Sequence, residues 1–217
     1  MVDENQVREL LLPFGLQLAS GQIAQLLTYL DLLLRWNTKI NLTAIRSPEE
    51  CITRHFGESL YLSRHVELEG SLLDVGSGAG FPGLALVIAF PQLQVTLLEP
   101  VGKKRAFLKE VARLCGMLQS VEIRPDRLDE FLLFGIGSVL FDAATSRAVG
   151  GLPELIPKAV RCLKPGGGLF LWLSQDQGRE AATAGRNLID WTDPIPIPLA
   201  LRRQIWRGRR QAHFEPT

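Results

Sequence analysis

The sequence predicts an α/β fold, a doubly wound and mostly parallel sheet with helices on both faces. Three observations carry that expectation. The apolar run Leu72-Leu73 passes through Asp74-Val75 into Gly76-Ser77-Gly78-Ala79-Gly80-Phe81-Pro82-Gly83, which reads as a buried strand, a tight turn and a helix start. Val95-Thr96-Leu97-Leu98-Glu99 reads as a second buried strand ending in an acid, about twenty residues beyond the glycine turn. Further apolar strands at 121–123, 139–145 and 169–173 alternate with segments of helical period.

The turn has the composition of a site that holds a nucleotide-like cofactor. Glycine tolerates positive φ and lets a ligand approach the backbone where a Cβ would clash, and proline suits the first turn of a helix. Gly78, Gly80 and Gly83 also satisfy G-x-G-x-x-G, the dinucleotide fingerprint. Asp74 separates the two readings. A carboxylate at the end of that strand favours a ligand bearing an amino group or a cation over a pyrophosphate, so S-adenosylmethionine fits better than NAD. Glu99 is placed to accept both ribose hydroxyls, with a plain surface acid as its bland alternative.

The chain has 217 residues, 46% of them apolar, enough for one large catalytic domain with an appendage. The expected division is an N-terminal helical extension over 1–66, on the substrate side, and a cofactor-binding domain over 67–217. A formal charge of +1 leaves nucleic acid open as a partner, because such an enzyme needs only a local basic patch. Cys51, Cys115 and Cys162 are far apart, with neither a C-x-x-C pair nor a histidine cluster beside them. Neither a metal site nor a disulfide framework is expected. With no basic-plus-apolar leader and no run of membrane-spanning length, the expected location is the cytoplasm.

In order along the chain, Pro13 and Gly15 break any long helix in residues 1–19. From Ser20, read as an N-cap, Ile23, Leu26, Leu27, Leu30 and Leu34 recur at helical spacing. Residues 35–43, with Trp36, Asn37 and Asn41, lose that period and read either as a connector or as a substrate-binding segment. Ser47-Pro48-Glu49-Glu50 is a capping box that starts a helix carrying Ile52, Phe56 and Leu60 on one face and Arg54 and His55 beside it. After the cofactor strand a helix is expected from about 82 to 90. Lys103-Lys104-Arg105 opens the next, with Phe107, Leu108, Val111 and Leu114 apolar; basic charge there opposes the helix dipole and reads as either a solvated cluster or a substrate contact.

After the third strand, Asp126–Glu130 leads into a helix ending near Gly135, and Leu128 and Asp129 are placed to flank an adenine. Ser146-Arg147-Ala148 follows the fourth strand, at the edge that lines the crevice in open α/β sheets. Arg147 could hold the carboxylate of the cofactor or a phosphate, or pair with a neighbouring acid. Lys164–Gly168 reads as a sharp turn before the fifth strand, and a helix is expected from about 177 to 190. Pro194, Pro196 and Pro198 then allow only an edge strand or an extended connector. The basic tail, residues 202–210, reads as an RNA-facing surface or as a closing strand of the sheet with its charges outward.

Asp74–Gly80, Glu99 and Leu163-Lys164-Pro165-Gly166-Gly167 before a strand resemble a class I S-adenosylmethionine-dependent methyltransferase. A narrower set, Trp36-Asn37, Asn41-Leu42-Thr43, Arg54-His55-Phe56, Ser59-Leu60, Gly80–Gly83 and Ser146-Arg147-Ala148, is similar to the ribosomal RNA small subunit methyltransferase G family, also called glucose-inhibited division protein B. The resemblance implies a Rossmann-like sheet of seven strands, with an antiparallel strand in the last pair, and methyl transfer to N7 of one guanine of bacterial 16S ribosomal RNA. It implies a monomer acting on the small ribosomal subunit or its precursor. It matches Gly76, Phe81, Leu128, Asp129 and Arg147 to cofactor-contacting positions and Glu99 to the ribose acid, with Asp74 and Gly78 in the same loop. Leu171-Trp172-Leu173-Ser174-Gln175 departs from the family's Ala-Leu-Lys-Gly by lacking the lysine, and nothing is carried over to the tail.

Guanine N7 already has an in-plane lone pair, so no general base is expected and positioning with exclusion of water suffices. Arg54, His55, Lys103, Lys104 and Arg105 are the candidate contacts to RNA. Two other functions remain open: a class I methyltransferase of a small metabolite or protein, and a ribosome-assembly factor without catalysis. A dehydrogenase is disfavoured by Asp74.

Overall fold

A computed structural model of the chain describes residues 2–133, 140–147 and 150–213. Its described strands form one seven-stranded sheet in the order β3-β2-β1-β4-β5-β7-β6, with β1 Ser71–Val75, β2 Gln94–Leu98, β3 Val121–Arg124, β4 Phe141–Arg147, β5 Leu163–Ser174, β6 Ile189–Pro196 and β7 Arg203–Arg210. The first five are parallel, and β7 runs antiparallel between β5 and β6. This is the doubly wound sheet with one antiparallel strand that the sequence predicts. Its topological switch point lies between β1 and β4, where ligands bind in such sheets.

Alternation along each strand divides two cores. Leu72, Ala143, Phe170 and Ile205 face one side, while Leu73, Ala144, Leu169 and Leu171 face the other. Over the second face lie α7 Leu128–Leu133, α8 Leu152–Arg161 and α9 Gln175–Ala184. Over the first lie α1 Glu4–Leu11, α2 Ser20–Asn37, α5 Gly83–Ala89, α6 Gly102–Leu114 and a continuous helical run built of α3 Pro48–Cys51, a π-helical turn Ile52–Gly57, α4 Glu58–Leu60 and a 3₁₀ turn Tyr61–Arg64. The N-terminal helices thus share one core with the sheet.

Helix α2 is fixed by polar stitches as well as by its buried stripe Ile23, Leu26, Tyr29, Leu30 and Leu33. Gln22 Nε2 donates to Ile88 O at 2.6 Å, Gln25 Nε2 to Cys115 O at 2.8 Å and Trp36 Nε1 to Glu110 at 2.8 Å. Its cap is Ala19, whose N–H the Gln22 side chain accepts, and Ser20 instead donates to Glu4. Where the period stops, buried Asn37 closes the connector: Oδ1 accepts the Leu42 and Thr43 amides, and Nδ2 donates to Thr43 O and Ile45 O. The connector reading of residues 35–43 therefore holds for Asn37. Ser47 caps the next helix with Pro48 in its first turn, as the sequence predicts, but only half of the expected capping box forms: Ser47 Oγ accepts the Glu50 amide and donates to Glu49.

Several elements depart from expectation. Helix α1 was hidden by its brevity, and its start is a capping box between Asp3 and Gln6. Leu114 is 44% exposed instead of lying on the apolar face of α6, because the helix ends there and its last turn leaves the core. Helix α9 stops at Ala184, since Gly185 lies against Trp191 and β6 begins at Ile189. Residues 164–167 are an excursion within β5, whose register on β4 jumps from Phe141↔Leu163 to Ala143↔Gly168. The proline segment ends β6 at the sheet edge. The expected helix end at Gly135, strand start at Val139 and Ala148 lie outside the described residues.

Replacing Asn37 by Ala removes the side chain that serves two amides and two carbonyls of the connector. Chemical denaturation is expected to show a loss of about 2–3 kcal/mol, against near-wild-type stability if water can serve those groups.

Candidate active site

Residues 76–83, between β1 and α5, form a loop fixed on three sides. Asp74, fully buried, accepts the Thr145 hydroxyl at 2.8 Å and the Gly83 amide at 3.3 Å, so it ties the start of α5 to β4 from beneath. Glu99, at the end of β2, accepts the Gly78 amide at 2.9 Å through Oε2 and the Val101 amide at 2.8 Å through Oε1. From above, buried Tyr29 of α2 donates its hydroxyl to Ala79 O and stacks on Phe81 at 5.1 Å. Positive φ at Gly76, Gly78 and Gly80 makes these three approaches possible.

The loop is filled on one side and open on the other. A Cβ on Gly80 would meet the Tyr29 hydroxyl at 2.3 Å, and one on Gly83 would meet Asp74 at 2.7 Å, whereas one on Gly78 would meet nothing nearer than 3.8 Å. The open side belongs to a cleft of about 470 Å³ lined by Val75, Gly76, Leu98, Leu128, Asp129 and Leu155, among others. Its size is that of a small-molecule site. Gly76, Leu128 and Asp129 therefore meet in one cleft, and Leu98 and Pro100, which flank Glu99 in the chain, line it as well. Leu128 is buried, and Asp129 is exposed and paired with Lys158 at 2.6 Å.

These residues fit S-adenosylmethionine. Each oxygen of Glu99 holds one backbone N–H and keeps a lone pair for a hydroxyl, which suits a ribose. Asp74 is sealed beneath the loop, and burial pushes its carboxyl up to about 6 against the hydrogen bonds from Thr145 and Gly83. In this structure it shapes the loop from below, without an exposed oxygen for a ligand.

Phe81 lies at the centre of an aromatic stack. His55, on the π-helical turn, lies parallel to it at 4.8 Å, opposite Tyr29, while Phe56 meets it edge-on at 5.0 Å. The His55 Nε2 contacts Thr43 Oγ1 at 2.8 Å, and that oxygen already accepts the Ile45 amide. The other ring nitrogen, Nδ1, is buried with no partner among the described residues. Burial first, then the charges of Arg147, Arg54 and Arg203, push His55 down to about 3. It is neutral at physiological pH.

Arg147 forms an ion pair, one of the roles that the sequence left open. It donates to Glu58 at 3.2 Å, to Arg54 O at 2.7 Å and to Ser59 Oγ at 3.3 Å. Arg54 is exposed, and Lys103 is exposed at the start of α6, at the same carboxyl edge of the sheet. Lys104 is half-buried beside it. Arg105 turns back to donate to Glu99 O and Pro100 O at 2.9 and 2.6 Å, so it braces the strand end that presents Glu99. The sequence offered no sign of Tyr29 or Glu58, because each looks like an ordinary helix residue until folding brings its distant partner. The three thiols are buried and pushed up to between about 11 and 12, and no metal-binding cluster occurs among the described residues.

Sheet order, glycine loop and the acid that follows β2 define a class I S-adenosylmethionine-dependent methyltransferase. In a superposition, P. horikoshii TYW2 in complex with MeSAdo matches this fold with a TM-score of 0.59 at 15% identity, over 73% of this chain and 63% of that one. Residues 22–190 match the model of the rRNA small subunit methyltransferase G (GidB) family, and the chain belongs to that family. It is 39% identical to ribosomal RNA small subunit methyltransferase G of Alkaliphilus metalliredigens over 81% of this chain and 73% of that one. It is 38% identical to the protein of the same name from Chloroflexus aggregans, over 85% and 80% of the two chains.

The neutral His55 sets an acid-side prediction. Below the ordinary pKa near 6.5 the unfolded chain takes up a proton that folded His55 refuses, so stability is lost as pH falls from 6.5 towards 3. Asp74 acts oppositely, since the folded chain takes up a proton first as pH falls from about 6 to 3.8. Denaturation of wild type and His55→Gln from pH 7 to 4 is expected to move the stability difference in favour of the variant as pH drops. Parallel curves would contradict this.

Proposed function

We propose that the chain transfers a methyl group from S-adenosylmethionine to N7 of a guanine in 16S ribosomal RNA, acting as a monomer on the small ribosomal subunit or its precursor. The observation that carries this reading is the placement of the Arg54-His55-Phe56 turn against the cofactor loop, through the His55–Phe81–Tyr29 stack. A substrate-side segment packed so closely on the loop suits an enzyme whose task is to bring a large substrate in line. In this reading residues 1–66 are the substrate side and 67–217 the cofactor domain.

Gly76, Gly78, Phe81, Glu99, Leu128, Asp129 and Arg147 would hold the cofactor, with Asp74 shaping their loop. When bound, S-adenosylmethionine supplies an electrophilic methyl group on a sulfonium. The open face of Gly78 lets the ligand approach the backbone, and Glu99 fixes the ribose through hydroxyl donors. Arg54, Lys103 and Lys104 would contact phosphates, which position RNA without reading its sequence. His55 and Arg105 are engaged within the protein, His55 through Thr43 and Phe81 and Arg105 through the Glu99–Pro100 carbonyls, so their part in binding RNA is to hold the surface that carries those charges.

The lone pair of N7 needs no proton removed, so the protein's contribution is orientation and exclusion of water. The neutral, internally bonded His55 and the sealed Asp74 agree with chemistry that employs no general base. No described helix is long and apolar enough to cross a membrane.

Methyl-labelled S-adenosylmethionine and small subunits from a strain lacking the enzyme test the reading. Nuclease digestion and mass spectrometry are expected to find label on one guanine as 7-methylguanosine. Label on another base, or transfer only to small molecules, would overturn it.

A further inference from the structure

Glu58 is 2% exposed, yet it is a charged residue in the middle of a helical run that packs on the sheet. Its surroundings explain why it is tolerated. Arg203 Nε and Nη2 reach its two oxygens at 2.9 and 2.5 Å in a fork, and Arg147 Nη2 reaches Oε2 at 3.2 Å. Its backbone carbonyl accepts Trp172 Nε1 at 2.8 Å. Three adjacent strands thus converge on one residue of the N-terminal run.

Register fixes where this happens. Ser146 lies opposite Val75, so Arg147 stands level with Gly76 at the start of the cofactor loop. Arg147 pairs with Trp172 across β4 and β5, and Arg203, on the antiparallel β7, pairs with Ser174 at the end of β5. Arg147, Trp172 and Arg203 therefore mark one carboxyl edge, the edge that carries the crevice. The same Arg147 donates to the carbonyls of Arg54 and His55, which lie in the turn stacked on Phe81.

We infer that Glu58 and Arg203 are positioning residues for methyl transfer: Arg203 fixes Glu58, and Glu58 fixes Arg147 and the 54–59 turn at the mouth of the cofactor crevice. The C-terminal strand is in this way part of the active-site machinery. Its alternation puts Arg203 on the inner face of the sheet, with Ile205, while Arg210 is buried on the other face.

The charge count sharpens the role. One carboxylate meets two guanidinium groups, so the buried cluster keeps a net positive charge. Of the two, Arg147 is the more buried, and burial pulls its ordinary value down to about 10 in spite of Glu58. An arginine held by Glu58, Ser59 and the carbonyls of Arg54 and His55 has one fixed direction in a cluster of net positive charge, which suits an anionic group at the crevice mouth. Removing Arg203 leaves Glu58 with Arg147 alone and draws it inward. Removing Glu58 leaves two like charges to separate.

This inference rests on the crevice being the S-adenosylmethionine site. The test measures calorimetric affinity for S-adenosylmethionine, KM, kcat and thermal melting for wild type, Arg203→Gln, Arg203→Lys, Glu58→Gln and Arg210→Gln, all well below their melting temperatures. Arg203→Gln and Glu58→Gln are expected to raise KM and Kd for S-adenosylmethionine about tenfold with a smaller change in kcat. Arg203→Lys, which keeps the charge without the fork, is expected to recover part of the loss. Arg210→Gln, at the far end of the same strand, is expected to melt earlier with KM unchanged. Should Arg203→Gln melt earlier with wild-type KM and Kd, the pair is only structural and the inference fails while the site reading stands. Should wild type itself not bind S-adenosylmethionine, the site reading fails and the inference falls with it.

Discussion

The structure depends on one loop being rigid from behind and open in front. Residues 76–83 must expose backbone to a ligand, which leaves them few contacts of their own on that side. The fold supplies the missing restraint from three directions: a buried carboxylate beneath at Asp74, a second carboxylate beside at Glu99, and a phenol above at Tyr29. Each is a hydrogen bond to a backbone group that the loop could not satisfy locally. The glycines follow from this, because Gly80 and Gly83 are where the restraints come within reach of the main chain, while the face of Gly78 stays open.

Tyr29 makes the N-terminal helices part of the site and not merely a cover. Its ring and that of His55 both stack on Phe81, which packs the turn 54–56 against the loop. Glu58 fastens the same helical run to β4, β5 and β7. A buried ion cluster of this kind adds little net stability, since desolvation offsets the attraction, but it tolerates few alternative geometries. Here that restriction falls on Arg147 and the turn it holds. The same desolvation and the nearby guanidinium groups keep His55 neutral, so the site is rich in fixed charge and carries no ready proton acceptor at that position.

Much of the sheet was legible in the sequence because each parallel strand is a short apolar run and the glycine turn and Glu99 are local signals at a fixed spacing. The edge strand was legible from its prolines. The ends of α9 and α6 were not, because Trp191 on a later strand and the limit of the core decide them. The excursion at 164–167 looked like an ordinary turn, since a register jump is visible only against the neighbouring strand. Within the site, the cleft residues Gly76, Leu128 and Asp129 could be read from position in the fold. Tyr29, Glu58 and Arg203 could not: their partners lie 50, 89 and 145 residues away, and no local pattern distinguishes them. The basic tail reads in sequence as an RNA-facing surface or as a closing strand with its charges outward; it is a strand between β5 and β6, and alternation turns Arg203 and Arg210 inward on opposite faces.

Loop restraint from α2 is the claim on which the rest stands, and amide hydrogen exchange on Tyr29→Phe, read together with S-adenosylmethionine affinity, reaches it most directly. The account predicts that exchange across 76–83 accelerates and Kd rises about tenfold, while exchange in β5 stays at its wild-type rate. Unchanged loop exchange with unchanged affinity would contradict it, leaving Tyr29 as one more buried core residue.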